Sequence, residues 1–309
     1  MWIARVLVFA LMFTGFLVFG QVRTRTSLND GWRFLKADAE NAAGAEFNDK
    51  AWPAITVPHT WNVADPFDDE PGYRRGPAWY RRQLRVAKAH AGKRLFLYFE
   101  GANQVADVYV NGSQVGSHVG GYSAFAFDIT PFVKPGDRNV IAVRVDNTFN
   151  EDIPPLTADF NFYGGIYRDV WLIASGDVHF DVTDHAASGV TITTPNIAKG
   201  DGTVAIVGTL LNTANRARDV EFVSMVFDAA QKEVGSAVSH SRIDPGRRAV
   251  VNHSVVVKRP LVWSPDKPYL YSVRNTIREA GKVIDEVVQP LGFRWFSFDG
   301  EKGFFLNGK

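Results

Sequence analysis

Residues 105–116 read VADVYVNGSQVG, and this stretch decides the class of fold. Its first six residues are rich in valine and are typical of a β-strand. The dipeptide Asn111-Gly112 follows. Because both residues tolerate positive φ, this pair is the strongest short signal for a hairpin turn. The sequence therefore predicts a β-hairpin whose second strand begins at Gln114.

The residues on either side of this hairpin have the same character. Strands are predicted at 94–99, 122–130 and 139–147, and Pro135-Gly136 supplies a turn between the last two. No part of this region has the 3.6-residue period of an amphipathic helix. Short strands at regular spacing without helices indicate a β-sandwich or a jelly roll.

Residues 159–174, DFNFYGGIYRDVWLIA, form the stretch that looks both structural and chemical. The paired glycines Gly164-Gly165 permit a sharp turn into a strand at 170–173. Arg168 beside Asp169 predicts an ion pair, or a guanidinium that grips backbone carbonyls. Asp159 has no adjacent cation and lies among aromatic residues, as a carboxylate in a sugar site would. The alternative for Asp159 is an ordinary aspartate that caps a loop.

This segment resembles the end of the N-terminal sugar-binding domain of glycoside hydrolase family 2. That family comprises β-galactosidases, β-glucuronidases and β-mannosidases, and the run Gly-Gly-Ile-Tyr-Arg-Asp-Val at 164–170 is most like its β-galactosidase branch. In galactosidases and glucuronidases of the family, an aspartate six residues before the second glycine reaches a hydroxyl of the terminal sugar. The resemblance therefore implies that Asp159 binds substrate.

Further motifs extend the resemblance along the chain. They are NDGWRF at 29–34, VPHTW at 57–61, WYR at 79–81, FDIT at 127–130 and VDN at 145–147. The resemblance implies a jelly-roll domain with its site on loops at one end, here 62–77 and 147–161. It also implies that Tyr73 and Arg75 line the sugar site. His59 stands in a turn behind a proline, and we interpret it as structural and not as a catalytic base.

The composition changes after Ser175-Gly176, where six or seven further strands are predicted. The stretch LVWSPDKPYLY at 261–271 resembles the immunoglobulin-like second domain of the family. Residues 291–309 resemble the start of its catalytic (β/α)₈ barrel, which needs about 250 residues. The expected division is a signal peptide at 1–20, a jelly-roll sugar-binding domain at 21–175, an immunoglobulin-like β-sandwich at 176–290 and the beginning of a barrel at 291–309.

Composition excludes several classes of function. The chain has 309 residues, a net charge of +1 and no cysteine, so neither nucleic-acid binding nor thiol chemistry is expected. We expect no cofactor and no metal, because the run Asp68-Asp69-Glu70 lacks the alternating spacing of a calcium loop. Residues 1–20 predict a cleaved signal peptide and export, periplasmic or secreted, without a stable membrane anchor.

The sequence thus predicts the N-terminal portion of an exported family 2 glycoside hydrolase. In the family both catalytic glutamates lie on the barrel, so we assign no catalytic residue and expect this chain alone to be inactive. Its expected partners are a β-linked glycoside or oligosaccharide and the catalytic barrel of the full-length protein, and a homo-oligomer stays open. Two alternatives also stay open: a stand-alone carbohydrate-binding protein, and an adhesion or scaffold β-sandwich without a sugar site.

Overall fold

The computed structural model describes residues 22–65, 67–69, 72–157, 160–198 and 200–309. The predicted leader and Asp159 lie outside these ranges. Within them, regular structure is almost entirely β-strand, with one short 3₁₀ turn at Lys88–His90. The described part of the chain contains no helix of the length and apolarity needed to cross a bilayer.

The first sandwich consists of ten strands in two sheets. The strands are β1 Thr24–Ser27, β2 Trp32–Leu35, β3 Ala54–Ile55, β4 Pro77–Arg85, β5 Arg94–Phe99, β6 Val105–Val110, β7 Ser113–Val119, β8 Phe125–Asp128, β9 Arg138–Asp146 and β10 Val170–Ser175. One sheet has the order β1-β10-β5-β8 and the other has the order β3-β2-β4-β9-β6-β7. Every pairing between these strands is antiparallel.

The hairpin predicted from residues 105–116 is confirmed. Strand β6 pairs with β7 from Val110↔Ser113 outward. Asn111 and Gly112 have φ values of 52° and 87°, so both adopt the left-handed conformation that a tight hairpin turn requires. Along β6, Val108 and Val110 point into the core, where each buried valine contributes about 1.5–3 kcal/mol.

The second sandwich consists of eight strands in two sheets. The strands are β11 Val178–Phe180, β12 Val190–Ala198, β13 Asp201–Asn212, β14 Arg218–Phe227, β15 Glu233–Ile243, β16 Arg248–Val257, β17 Tyr271–Glu279 and β18 Lys282–Leu291. One sheet has β13 paired with β12, β11 and β16, and the other has the order β15-β14-β17-β18. Aromatic residues join the two sheets: Phe180 meets Phe222 edge to face with ring centres 5.6 Å apart.

The fold class predicted from the sequence, a jelly roll followed by an immunoglobulin-like sandwich, is confirmed. Two strands of the second sandwich, β15 and β18, were missed. After them a hairpin forms from β19 Phe296–Asp299 and β20 Gly303–Leu306. The described residues contain no (β/α)₈ barrel, which agrees with the expectation from chain length.

Arg23 joins the two sandwiches. It immediately precedes β1 of the first sandwich, and its Nε donates to Oδ1 of Asp285 on β18 of the second at 2.8 Å. Its Nη2 donates to the Phe180 carbonyl at 2.9 Å, and the Phe180 N–H donates to the same Asp285 carboxylate at 2.8 Å. The side chain of Asp285 is 0% exposed and that of Arg23 is 13% exposed. We call this ion pair the domain latch.

Three histidines are buried to different depths in the two sandwiches. Burial lowers the pKa of each, because the charged form of imidazole loses hydration inside the protein: His59, His179 and His253. His59 Nδ1 lies 2.8 Å from the Tyr80 hydroxyl, and the ring packs beside Phe34. These contacts agree with the structural role expected for His59.

Candidate functional site

The long loops of the first sandwich meet at one end of it, where two buried asparagines fasten them together. Asn62 accepts a hydrogen bond from the Gly164 N–H at 2.6 Å. Asn147 accepts from the Gly76 N–H at 2.9 Å and donates to the Phe162 carbonyl at 3.1 Å. The loops at 62–76 and 147–164 are therefore one connected surface, as the sequence predicted. We call it the loop cluster.

The paired glycines allow this close approach. A Cβ at Gly164 would lie 1.9 Å from the Trp61 ring. Gly165 has φ of +131°, and a Cβ there would lie 2.4 Å from the His59 carbonyl oxygen. Neither position has room for a side chain. The prediction that Gly164-Gly165 lets two backbone segments approach is confirmed.

Asn103 holds the segment that follows the loop cluster's aromatic residues. Its side chain donates to the Tyr163 carbonyl at 2.6 Å. Its backbone exchanges two hydrogen bonds with Gly165, at 2.9 and 3.1 Å. Since Asn103 is 4% exposed, these bonds are shielded from water and fix the position of residues 163–165.

The structure brings Tyr73 and Arg75, two of the three predicted sugar-site residues, into one aromatic group. The guanidinium carbon of Arg75 lies 4.9 Å from the ring centre of Tyr73, 5.4 Å from that of Phe162 and 5.6 Å from that of Phe149. The guanidinium also donates to the Tyr73 hydroxyl. Arg75 is thus held by cation–π contacts and one hydrogen bond.

Asp159, the third predicted residue, lies outside the described residues, and its role stays a prediction. Its neighbours are placed. Phe160 is 55% exposed, and its ring centre lies 5.4 Å from that of Phe162. The segment that carries Asp159 therefore leads directly into the aromatic group around Arg75.

Three tyrosines extend this surface, and sequence reasoning missed two of them as site candidates. Tyr163 packs edge to face on Tyr167 with ring centres 5.2 Å apart, and Tyr122 lies 6.4 Å from Tyr167. The Tyr167 hydroxyl donates to the Gly121 carbonyl at 2.6 Å. Burial raises the pKa of Tyr122 and Tyr167, so both hydroxyls stay protonated and can donate hydrogen bonds. The pair Gly120-Gly121 before Tyr122 was the available signal for a third loop.

The expected pairing of Arg168 with Asp169 is wrong. No ion pair joins them among the described residues, and Arg168 is exposed, with its guanidinium carbon 5.7 Å from the Tyr167 ring centre. Asp169 instead accepts a hydrogen bond from Asn29 Nδ2 at 3.0 Å. Neighbouring residues of an extended chain point to opposite sides, so the two charges face different surroundings.

The chain contains one Asn-Glu dipeptide, Asn150-Glu151, the order in which the family's catalytic acid follows an asparagine. Here the dipeptide lies in an exposed turn, where Asn150 Oδ1 accepts from the Asp152 N–H at 2.9 Å. A catalytic acid needs a pKa raised by burial or by a like charge, and exposed Glu151 has no such burial. We therefore interpret this dipeptide as a turn.

The loop cluster is an open surface. Between Arg75, Tyr122, Phe149 and Phe162 it encloses only about 10 Å³, roughly the space of one water molecule. A sugar ring would therefore rest on this surface and could not be enclosed by it. In the described residues no three His, Asp or Glu side chains are grouped so that they could hold a metal ion.

A larger hollow of about 640 Å³ lies beside the β19–β20 hairpin, against Trp263, Leu270 and Trp295. Arg294 packs over the Trp263 ring at 4.8 Å, and the remaining walls are mainly aliphatic. A sugar site needs several convergent polar groups beside an aromatic face. The loop cluster has that combination and the hollow does not.

Comparison with known families agrees with this placement. Residues 25–175 match the model described as "Glycosyl hydrolases family 2, sugar binding domain". Residues 187–294 match the model described as "Glycosyl hydrolases family 2". The chain belongs to glycosyl hydrolase family 2, and the loop cluster lies on its sugar-binding domain.

The relatives carry the names of two activities. The chain is 38% identical to a beta-glucuronidase of Bacteroides fragilis over 258 residues, which cover 82% of this chain and 36% of that protein. It is 32% identical to beta-galactosidase BoGH2A of Bacteroides ovatus, with 93% and 33% covered. The crystal structure of a Bacteroides uniformis beta-glucuronidase superposes with a TM-score of 0.88 at 38% identity, with 93% and 34% covered. The chain thus spans about a third of the length of these relatives.

Proposed function

We propose that this chain is the sugar-positioning part of an exported family 2 glycoside hydrolase that cleaves β-linked glycosides. The observation that carries the proposal is the loop cluster on the sugar-binding domain. It combines exposed aromatic faces, tyrosine hydroxyls and a half-buried arginine at one end of the sandwich. Aromatic faces stack on the apolar side of a sugar ring, and polar groups at their rim bind its hydroxyls.

Cleavage itself is assigned to a catalytic barrel outside the described residues. Retaining hydrolysis needs two carboxyl groups about 5–5.5 Å apart, one with a raised pKa. The family resemblance places both on the barrel, and the described strands form sandwiches and a hairpin only. The loop cluster would then hold part of a sugar whose scissile bond lies in the barrel.

A β-galactoside is the first candidate substrate, because residues 164–170 are most like the β-galactosidase branch. A β-glucuronide is the second, because several relatives are named as beta-glucuronidases. Both sugars have hydroxyls for Asp159 to bind. They differ in charge at C6, where the glucuronide carries a carboxylate.

Export is proposed from residues 1–20. An exporting bacterial host should release protein whose first residue is Gln21, as determined by N-terminal sequencing. Protein that keeps Met1 in the cell pellet would contradict export. Sedimentation analysis of the same sample would test the proposed homo-oligomer.

The test of function is sugar binding combined with an activity assay. The purified chain should bind methyl β-galactoside or methyl β-glucuronide with millimolar or weaker affinity, as measured by saturation-transfer NMR, because the site is open. It should not hydrolyse the corresponding nitrophenyl glycosides above a blank. Absence of binding to both sugars at tens of millimolar would overturn the positioning role, and turnover by a clean sample would overturn the assignment of catalysis to a barrel.

A further inference from the structure

We propose that Arg75 makes the loop cluster selective for an anionic sugar, one that carries a carboxylate or a sulfate ester. This inference rests on the proposed function, since it requires that the loop cluster binds sugar. It goes further by naming the residue of this chain that distinguishes an acidic glycoside from a neutral one. The shared chemistry of the ligand is a planar or tetrahedral oxyanion.

The first observation is that the positive charge of Arg75 is not balanced. Elsewhere in the described residues, Arg23, Arg81 and Arg94 each pair with an aspartate. Arg75 forms no ion pair with any described carboxylate, and neither does its neighbour Arg74. Two adjacent arginines therefore give the loop cluster a local positive potential, although the whole chain is nearly neutral.

The second observation is the geometry of the guanidinium. Its plane is held by Tyr73, Phe149 and Phe162, and one nitrogen, Nη2, donates to the Tyr73 hydroxyl. Among the described residues, Arg75 Nε and Nη1 have no hydrogen-bond acceptor, and the side chain is half-buried. The unused donors are thus presented in a fixed orientation, which suits the two-point binding of a carboxylate or sulfate.

The third observation is the surroundings that an anion would meet. Tyr122 and Phe149, respectively 48% and 51% exposed, border the same cleft as Arg75. Phe149 offers a ring face to the sugar, and Tyr122 offers a protonated hydroxyl. An oxyanion at this position would therefore meet hydrogen-bond donors and aromatic rings.

A purely structural role for Arg75 makes a different prediction. Cation–π contacts alone would stabilise the loops, and their loss would weaken the binding of neutral and acidic sugars alike. A role in anion recognition affects the acidic sugars selectively and makes their binding depend on salt, because exposed charges are screened. The difference between the two ligand classes therefore separates the two roles.

The test compares three probes on the chain purified after export: methyl β-glucuronide, galactose 6-sulfate and methyl β-galactoside. Binding is followed by NMR titration at low and at high salt. At least one acidic probe should bind tenfold or more tightly than the galactoside, and its affinity should fall as salt rises. The stronger acidic probe identifies the source of the oxyanion as carboxylate or sulfate.

Two substitutions assign the effect to Arg75. Arg75→Gln should weaken the preferred acidic probe at least tenfold and leave the galactoside within twofold. Arg75→Lys should keep the preference for the acid and lose affinity at least threefold, because the charge stays and the planar fork is lost. Arg168→Gln is the matched control: it removes an exposed arginine that also packs on a tyrosine, and it should change neither probe class.

Each result decides between the claims. Equal binding of acidic and neutral probes, unchanged in Arg75→Gln, would overturn the inference and leave the proposed function standing. No binding of any probe would overturn both. If Arg75→Gln does not fold, as judged by circular dichroism, the salt dependence and Arg75→Lys carry the test. Loss of the acid preference in folded Arg75→Lys protein would then contradict the role of the charge.

Discussion

The domain latch gives a sharp prediction for stability. Arg23→Ala removes the cationic partner and leaves Asp285, whose side chain is 0% exposed, as a buried charge. Removal of one partner of a buried ion pair costs about 3–5 kcal/mol. Asp285 keeps two hydrogen bonds, from the N–H groups of Phe180 at 2.8 Å and Glu286 at 3.0 Å. Because these bonds partly stabilise the remaining carboxylate, we expect a loss of about 3 kcal/mol.

Urea denaturation followed by far-UV circular dichroism measures this loss. Arg242→Ala is the control, since Arg242 pairs with Asp219 at 3.0 Å while both side chains are more than half exposed, at 66% and 73%. An exposed pair of this kind contributes about 0–1 kcal/mol. Asp285→Asn should cost less than Arg23→Ala, because Arg23 is 13% exposed and can turn toward water. If Arg23→Ala lost no more stability than Arg242→Ala, the latch would not be a buried ion pair in solution.

Three further predictions follow from the site and the core. Gly165→Ala should cost about 2–5 kcal/mol, because its φ is +131° and the new Cβ would lie 2.4 Å from a backbone oxygen, whereas Gly246→Ala, in open space, should cost about 1 kcal/mol; urea midpoints that match would contradict this. Since burial lowers the pKa of the three buried histidines, the folded state binds fewer protons than the unfolded state, whose histidines titrate near about 6.5, so the thermal midpoint should be lower at pH 5.5 than at pH 7.5. An equal midpoint at both pH values would show that these imidazoles are hydrated. In a full-length active enzyme, Asp159→Asn should reduce kcat/KM tenfold or more, about 1.4 kcal/mol, whereas Asp169→Asn should act on stability and leave kcat/KM per folded molecule nearly unchanged; wild-type kcat/KM in the Asp159 variant would remove that residue from the site.

The first sandwich was readable from the sequence where local rules decide. The turn at Asn111-Gly112 depends on two residues that tolerate positive φ, and strand β10 is rich in β-branched and aromatic residues. Strand β15 was missed because its sequence, EVGSAVSHSRI, mixes serine, glycine and histidine with few large apolar residues. It is an edge strand that pairs only with β14, so one of its edges and much of its face stay exposed and need no apolar side chains.

The sugar site was only partly predictable, because its contacts join residues that are far apart in sequence. Tyr73 and Arg75 were named from the loop that carries them. Their contacts with Phe149 and Phe162 depend on how Asn147 fastens two loops, which no local pattern shows. The error at Arg168 has the opposite origin, since adjacency in sequence was taken as adjacency in space.

The domain latch also fixes an order of events during synthesis. Arg23 and Asp285 are separated by 262 residues, so at about 5–20 residues per second the partner of Arg23 is made roughly 13–52 s later. Strand β1 can pair with β10 well before that time, because Thr24 lies opposite Ala174. The first sandwich can therefore close while Arg23 is still hydrated, and the ion pair forms only when β18 has folded. Burial of Arg23 thus reports that both sandwiches are complete.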